Sequence, residues 1–238
     1  MESTETQVFP VRQQVIEGIS QAMPIVMGYL PVGFAYGVLA EKAGLSFFNT
    51  LIMSVIVFAG SAQLISVGLF AAGVSPLSII ATTFVVNLRH LLMSAALSPH
   101  LAGWRKSELA AFAYEITDET FAVHSLRFNR PGPSKAVTFI INLVSQAAWV
   151  IGTALGILAG QLIADVRPFG LDYALPAMFI ALLVMQIQSH THLWVAIFSG
   201  IVSLVLFALG LDQWNVILAT VLGATLGVFL QSWTKTSS

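Results

Sequence analysis

Residues 84–97 of the chain, FVVNLRHLLMSAAL, place an arginine and a histidine inside an otherwise apolar run. The phenylalanine, valine and leucine side chains suit lipid, whereas the Arg89 guanidinium keeps its charge at every ordinary pH. The run belongs to a longer apolar stretch, residues 76–98. That stretch can cross a membrane, because roughly 20 apolar residues suffice. The fold must therefore either compensate the charge of Arg89 at depth or let its side chain reach the membrane interface.

Composition indicates a protein that is dissolved mainly in lipid. The 238 residues are 57% hydrophobic and only 9% charged, whereas ordinary soluble domains carry about 25% charged residues. We expect an all-α fold, a polytopic transmembrane helical bundle with broken helices and about seven to eight hydrophobic segments. The apolar stretches lie at 15–40, 50–72, 76–98, 136–163, 173–189, 192–209 and 213–232.

The same stretches predict the division of the chain. A polar N-terminal segment, 1–14, precedes a single transmembrane domain, 15–232, and a polar tail follows at 233–238. No basic segment precedes a short apolar core, so we expect no cleavable signal.

Charge and cysteine content exclude several classes of partner. The net charge is −1 and no polybasic stretch occurs, which argues against nucleic acid as a partner. The absence of cysteine excludes disulfides and thiolate metal sites. We predict neither a metal site nor a cofactor, and the lipid bilayer is the expected surrounding.

The sequence leaves the course of residues 105–127 open. If this helical segment stays on one face of the membrane, seven Lys/Arg residues lie inside and two outside, as the positive-inside rule favours. A faint repeat favours the opposite course. LPVGF at 30–34 echoes LPAMF at 175–179, and an inverted repeat of this kind would require the segment to cross. Because the charge bias rests on few residues, we give the repeat slightly more weight, and the number of spans stays open.

The first apolar stretch contains two prolines and three glycines within MPIVMGYLPVGFAYGVLAEKAG, residues 23–44. Gly33 and Gly37 form a small-xxx-small pair, which is typical of close helix packing. Alternatively, the helix breaks at 28–33 and its freed backbone groups face a substrate cavity. Both interpretations remain open at this point.

The second stretch is interrupted by FAGSAQ, residues 58–63. Gly60 and Ser61 favour a helix break, and Gln63 adds an amide to an apolar run. Two interrupted helices in succession are typical of transporters, in which half-helix ends bind small charged substrates. A packing glycine with one interhelical hydrogen bond is the alternative.

Arg89 either extends its side chain to the interface or needs a carboxylate partner from the protein or from a substrate. Asn87 and His90 lie beside it on the same helix. We predict the following substrate-binding residues: Gly28, Pro31, Gly33, Gly60, Ser61, Gln63, Asn87 and Arg89.

The acidic segment offers the counter-charges for Arg89. Glu115, Asp118 and Glu119 stand at i, i+3 and i+4, which predicts one shared helix face. Carboxylates buried together cannot all be ionised near neutral pH. We therefore predict proton coupling at these three residues and at His90, with a solvated amphipathic face as the alternative.

Five motifs in order resemble one family. They are MPIVMGYLPVGFAYGVLAEKAGLS, FAGSAQL, NLRHLLMSAALSPHL, YEITDETFAV and DYALPAMFIALL. Together they look like the AzlC (YgaZ-type) large subunit of branched-chain amino acid exporters, over about residues 12–230.

The resemblance implies a multi-pass protein of the bacterial inner (cytoplasmic) membrane that exports valine, leucine, isoleucine and analogues. It also implies a secondary transporter with presumed proton coupling and a small hydrophobic partner, the AzlD (YgaH-type) subunit. The family motifs assign no binding residues.

Two other function classes are weighed against the carrier. An intramembrane serine protease would need Ser61 with His90, but the context is GSA, so we predict no enzyme. A channel, or a membrane scaffold that is inactive without its partner, is the remaining alternative.

Overall fold

The computed structural model describes residues 10–129, 134–163, 189–211 and 215–236, with isolated positions between 168 and 187. Two compact units are present, Met1–Pro176 and Ala177–Ser238, and each is described by itself. The described parts are helical, which confirms the all-α class. The division at 14 and 232 stays a prediction.

The described part of the first unit contains seven helices. They are α1 (Val11–Lys42), α2 (Phe47–Ile52, extended by a π-helical turn, Met53–Val57), α3 (Gly60–Ala71), α4 (Pro76–Leu97, extended by a 3₁₀ turn, Ser98–Leu101), α5 (Lys106–Tyr114), α6 (Asp118–Phe128) and α7 (Lys135–Gly160). The second unit contains α8 (His190–Ala208) and α9 (Asn215–Thr236) among its described residues.

Four helices of the described chain are long and apolar enough to cross a membrane. They are Val11–Lys42, Pro76–Leu101, Lys135–Gly160 and His190–Ala208. Shorter apolar helices cover Phe47–Val57, Gly60–Ala71 and Leu218–Leu230. The predicted stretch at 173–189 lies mostly outside the described residues, as does LPAMF, so the internal repeat stays a prediction.

Helices α1 and α7 run parallel in close contact. Gly18 of α1 lies against Val137 of α7, and Gly37 lies against Thr153. Residue numbers therefore increase in the same direction along both helices. A Cβ on Gly33 would lie 2.9 Å from the Trp149 carbonyl oxygen. The two backbones therefore touch where each helix lacks side chains.

Both helices carry the small-residue spacing that this contact requires. Gly33 and Gly37 on α1 face Gly152 and Gly156 on α7, and a Cβ on Gly152 would lie 2.7 Å from the Leu30 carbonyl oxygen. The packing interpretation of the first stretch is thus confirmed.

The alternative interpretation, a helix break at 28–33, is wrong. Helix α1 is continuous from Val11 to Lys42 with Pro24 and Pro31 inside it. Each proline removes one backbone hydrogen bond. The neighbouring helix holds α1 along its length, and such packing lets transmembrane helices tolerate proline.

The second stretch is broken, as predicted. The π-helical turn ends at Phe58, which adopts a left-handed φ of 42°, and α3 begins at Gly60. Ser54 and Gln63 would stand about 13 Å apart along one straight helix, yet Gln63 Nε2 donates to Ser54 Oγ at 3.1 Å. The chain therefore doubles back, and residues 47–71 form a first hairpin.

Residues 106–128 form a second hairpin. Near its start, Lys135 Nζ donates to Glu108 Oε2 at 2.8 Å; near its end, Arg127 Nη1 donates to Thr138 Oγ1 at 3.1 Å. Both outer ends thus lie at the N-terminal end of α7. The segment therefore starts and returns at one end of α7, which is the course that the charge asymmetry favours and not the crossing that the repeat required.

The exposed contact at the base of the second hairpin is electrostatic. The hydrogen bond from Lys135, together with that from the Arg105 amide, lowers the pKa of Glu108. Glu108 therefore remains an anion opposite the Lys135 ammonium.

The first hairpin enters from the opposite end. Leu97 and Leu101 at the end of α4 form one buried cluster with Phe112 and Phe128 of the second hairpin. The 22 residues of α4 span about 33 Å, so Pro76 lies near the other end of α7. Since α3 leads into Pro76 through a short turn, the first hairpin opens at that other end.

Replacing a glycine of the α1–α7 contact will destabilise the protein. Gly37→Leu and Gly156→Leu place side chains against backbone atoms, and overpacking of this kind costs about 1–3 kcal/mol or more. We expect a lower melting temperature in detergent. Gly28→Ala is the matched control on the same helix, because a Cβ there meets nothing within 4 Å. Equal melting temperatures for Gly37→Leu and the control would contradict the contact.

Cysteine labelling will test the two hairpins, and the chain offers a cysteine-free background. Lys106→Cys and Asn129→Cys should react with an impermeant maleimide from one side of the membrane. Phe48→Cys and Ala72→Cys should react from the other side. Labelling of positions 106 and 129 from opposite sides would show instead that the acidic segment crosses.

Candidate functional site

The tips of the two hairpins meet at Arg89 of α4. Arg89 Nη1 lies 2.7 Å from Asp118 Oδ2, and Nη2 donates to the Ser61 hydroxyl. Asp118 is the first residue of α6 and Ser61 lies in the first turn of α3. One guanidinium therefore joins both tips, and the acidic segment is the partner of Arg89, as predicted.

A second bridge comes from Tyr29, near the middle of α1. Its hydroxyl lies 2.7 Å from Glu119 Oε2 and 2.6 Å from Thr117 Oγ1. Its ring packs edge-on against Phe58 at the first tip, with centroids 6.2 Å apart. Sequence reasoning missed Tyr29, although a tyrosine in an apolar helix needs a partner for its hydroxyl.

The second tip is a capped helix start. Thr117 Oγ1 accepts from the Thr120 amide at 3.3 Å, and Thr120 Oγ1 accepts from the Thr117 amide at 2.8 Å. Asp118 and Glu119 then occupy the first turn of α6. Negative side chains are stabilised there by the positive end of the helix dipole.

This cap overturns the predicted single acidic face. Helix α5 ends at Tyr114 and α6 starts at Asp118, so Glu115 lies in the break between them. The i, i+3, i+4 spacing assumed one continuous helix, whereas Thr117 adopts an extended backbone and restarts the helix. The three carboxylates therefore have different surroundings.

The first tip lacks such a cap. No side chain caps α3 at Ala59, and no described residue accepts a hydrogen bond from the amides of Gly60, Ser61 or Ala62. Ser61 and Ala62 are buried. A buried helix start with open amides favours a negative group beside it.

Both hairpins are anchored to α7 by buried polar contacts. Trp149 Nε1 donates to Gln63 Oε1 at 3.1 Å, and the Ser54 and Thr153 hydroxyls lie 2.9 Å apart. On the second hairpin, His124 Nε2 lies 2.7 Å from Asn142 Oδ1. Gln63 is fully buried, so its amide holds the first hairpin in place.

The other predicted residues lie outside this cluster of contacts. No side chain packs where a Cβ of Gly28 would stand, and Gly33 faces the α7 backbone. Pro31 lies within continuous α1. His90 is half-buried and bonds to no described residue, and the buried Oδ1 of Asn87 has no partner among them. Their roles in binding or coupling stay predictions.

The cluster offers charges and hydroxyls rather than a metal site. Among the described residues, no group of three His, Asp or Glu side chains could hold a metal ion. Arg89 and Asp118 instead present a fixed cation and a carboxylate side by side, with side chains 26% and 17% exposed. Such a pair matches the two charges of a zwitterion.

Comparison with known proteins gives the family. The model of the family described as AzlC protein matches residues 24–163. No solved structure matches the chain.

Curated relatives match over most of their length. The chain is 30% identical to "Inner membrane protein YgaZ" of Escherichia coli (strain K12), covering 88% of this chain and 89% of that relative. It is 27% identical to "Branched-chain amino acid transport protein AzlC" of Bacillus subtilis (strain 168), covering 78% and 74%. An "Uncharacterized membrane protein" of Archaeoglobus fulgidus is 34% identical, covering 88% and 92%. Most of this chain, including both hairpin tips and Arg89, falls within the matched family region, and the chain belongs to the AzlC family.

Proposed function

We propose that this protein is a proton-coupled secondary transporter that exports branched-chain amino acids across the bacterial inner membrane. The observation that carries the proposal is the Arg89–Asp118 pair where two oppositely entering hairpins meet. Family membership supports it, as does the transport name of the Bacillus subtilis relative. The family is not an enzyme family, in agreement with the predicted absence of enzymatic activity.

The substrate would replace the internal ion pair with its own two charges. Its α-carboxylate would bind Arg89 and the open amides at Gly60–Ala62, and its ammonium would bind Asp118. A charge in the membrane centre costs roughly 2.5–3.5 kcal/mol or more when uncompensated. Because Arg89 is paired in the empty and in the occupied site, neither state leaves a bare charge.

The aliphatic side chain of the substrate needs an apolar wall. Phe58 at the first tip is 2% exposed, and Met93, one turn beyond Arg89 on α4, is 8% exposed. Valine, leucine and isoleucine gain about 0.8 kcal/mol for each methylene buried. Phe58 and Met93 therefore supply the apolar contact beside the charged site.

The two hairpins would give access to the site from opposite sides. A carrier must expose its site to one side of the membrane at a time. Loosening the first tip opens a path towards the C-terminal end of α7, and loosening the second opens a path towards its N-terminal end. Because Arg89 contacts the tips of both hairpins, a substrate that binds Arg89 would loosen or tighten both tips.

We also propose a small hydrophobic membrane subunit of the AzlD (YgaH) type as partner. Helix α4 buries little of its length, and Leu77, Phe84, Leu91 and Leu92 are exposed. This apolar side of α4 lies away from the hairpins and suits contact with another apolar helix or with lipid. Joint reconstitution compared with the chain alone tests whether the subunit is needed.

Removing either charge of the pair will reduce export. Arg89→Gln and Asp118→Asn each leave one charge unpaired, and we expect valine efflux from loaded cells to fall about tenfold or more. The Glu108→Gln variant, which alters an exposed carboxylate at the base of the second hairpin, is the matched control. Membrane content is checked by immunoblotting. Wild-type efflux from both charge variants would reduce the pair to a structural contact.

Liposome flux separates the carrier from a channel. A carrier gives saturable valine flux that a pH gradient drives uphill. Linear flux that ignores the gradient would favour a channel. No flux with the chain alone, but flux with its small subunit, would identify a subunit that is inactive without its partner.

A further inference from the structure

The adjacent carboxylates Asp118 and Glu119 have partners of opposite chemical character. Asp118 pairs with the Arg89 guanidinium, which can only donate hydrogen bonds and stays charged. Glu119 faces the hydroxyl of Tyr29, 2.7 Å away. Among the ion pairs of the described residues, none includes Glu119.

The surroundings of Glu119 suit both of its protonation states. When Glu119 is ionised, the Tyr29 hydroxyl donates to it and accepts from the Thr117 hydroxyl, 2.6 Å away. When Glu119 is protonated, its O–H donates to Tyr29 and the tyrosine proton turns to Thr117. A hydroxyl both donates and accepts, so the chain of bonds reverses without moving a heavy atom.

Asp118 has no such freedom. Protonation of Asp118 would leave the Arg89 guanidinium without a counter-charge among its described contacts, at a cost of several kcal/mol in a low-dielectric site. The contrast does not come from position in the helix, since both residues lie in the same first turn of α6.

We propose that the coupling proton of the carrier is exchanged at the Glu119 carboxyl, with Tyr29 and Thr117 as positioning residues, while Asp118 stays ionised with Arg89 or substrate. One O–H bond forms on Glu119 from the water of one side and breaks to the water of the other. Nothing is oxidised or reduced. This inference rests on the proposed export function and divides the roles within its site.

The groups facing Glu119 from each packed element are few. Among the described residues they are Tyr29 from α1 and Asp118 from its own helix, and Asp118 in turn pairs with Arg89 of α4. Loss of the Arg89–Asp118 contact on substrate binding would change the field at Glu119. Substrate binding at Asp118 and proton release at the adjacent Glu119 are thereby coupled.

Two liposome assays test the inference on the full chain with its small subunit. One measures uphill uptake of labelled valine into liposomes with an acidic lumen. The other measures valine–valine counterflow without a pH gradient, which needs no net proton movement. Wild-type protein should perform both.

Glu119→Gln should reduce uphill uptake about tenfold or more and slow counterflow less than about twofold, because binding remains while the proton carrier is gone. Asp118→Asn should reduce both. Tyr29→Phe should retain both but shift the pH at which uphill uptake is half-maximal, since it removes the reversible hydroxyl. Glu108→Gln should leave both unchanged.

Three results would overturn the inference. The first is uphill uptake by Glu119→Gln at the wild-type level, and the second is an equal loss of uphill uptake and counterflow in that variant. The third is a pH dependence of uphill uptake in Tyr29→Phe that is identical to that of the wild type. A wild-type protein that moves valine in neither assay would refute the proposed export itself. That result differs from the one that refutes only the role of Glu119, in which the wild type is active and the Glu119→Gln variant still takes up valine uphill.

Discussion

The permanent charge of Arg89 is the constraint on which the first unit depends. A guanidinium cannot be neutralised by deprotonation, so a fold that keeps it inside the membrane domain must bring an anion to it. The anion comes from Asp118, which lies 29 positions later at the tip of a hairpin that enters from one side. The hydroxyl that completes the contact comes from Ser61, on a hairpin that enters from the other. The meeting of the two tips is thus a consequence of compensating one charge.

A rigid frame holds these tips at the right depth. The parallel helices α1 and α7 touch through their backbones at Gly33, Gly37, Gly152 and Gly156, and α7 then supplies anchors for both hairpins. The anchors are buried and hydrogen-bonded, whereas the tips present partly exposed charges. Apolar and amide packing along α7 therefore stabilises the frame, whereas one ion pair, Arg89–Asp118, joins the tips.

The sequence predicted features whose cause is local or compositional. The membrane class follows from hydropathy, the break at 58–63 from its glycine and serine, and the need of Arg89 for a carboxylate from its charge. The two wrong predictions had different causes. The continuity of α1 depends on distant α7, which no local pattern shows. The restart of the helix at Asp118 was signalled by Thr117 and Thr120, but the acidic spacing was given more weight.

Tyr29 shows why the rest could not be predicted. Its partners Thr117 and Glu119 are 88 and 90 positions away, and nothing near Tyr29 in the sequence indicates which acid it will meet. Yet that pairing distinguishes two neighbouring carboxylates that composition and spacing treat as equivalent. An arginine partner favours the carboxylate form of one residue, and a hydroxyl partner accommodates both forms of the other. In a low-dielectric site, where unpaired charge is expensive, this difference in partners is the ground on which we propose that Asp118 binds the substrate and Glu119 carries the proton.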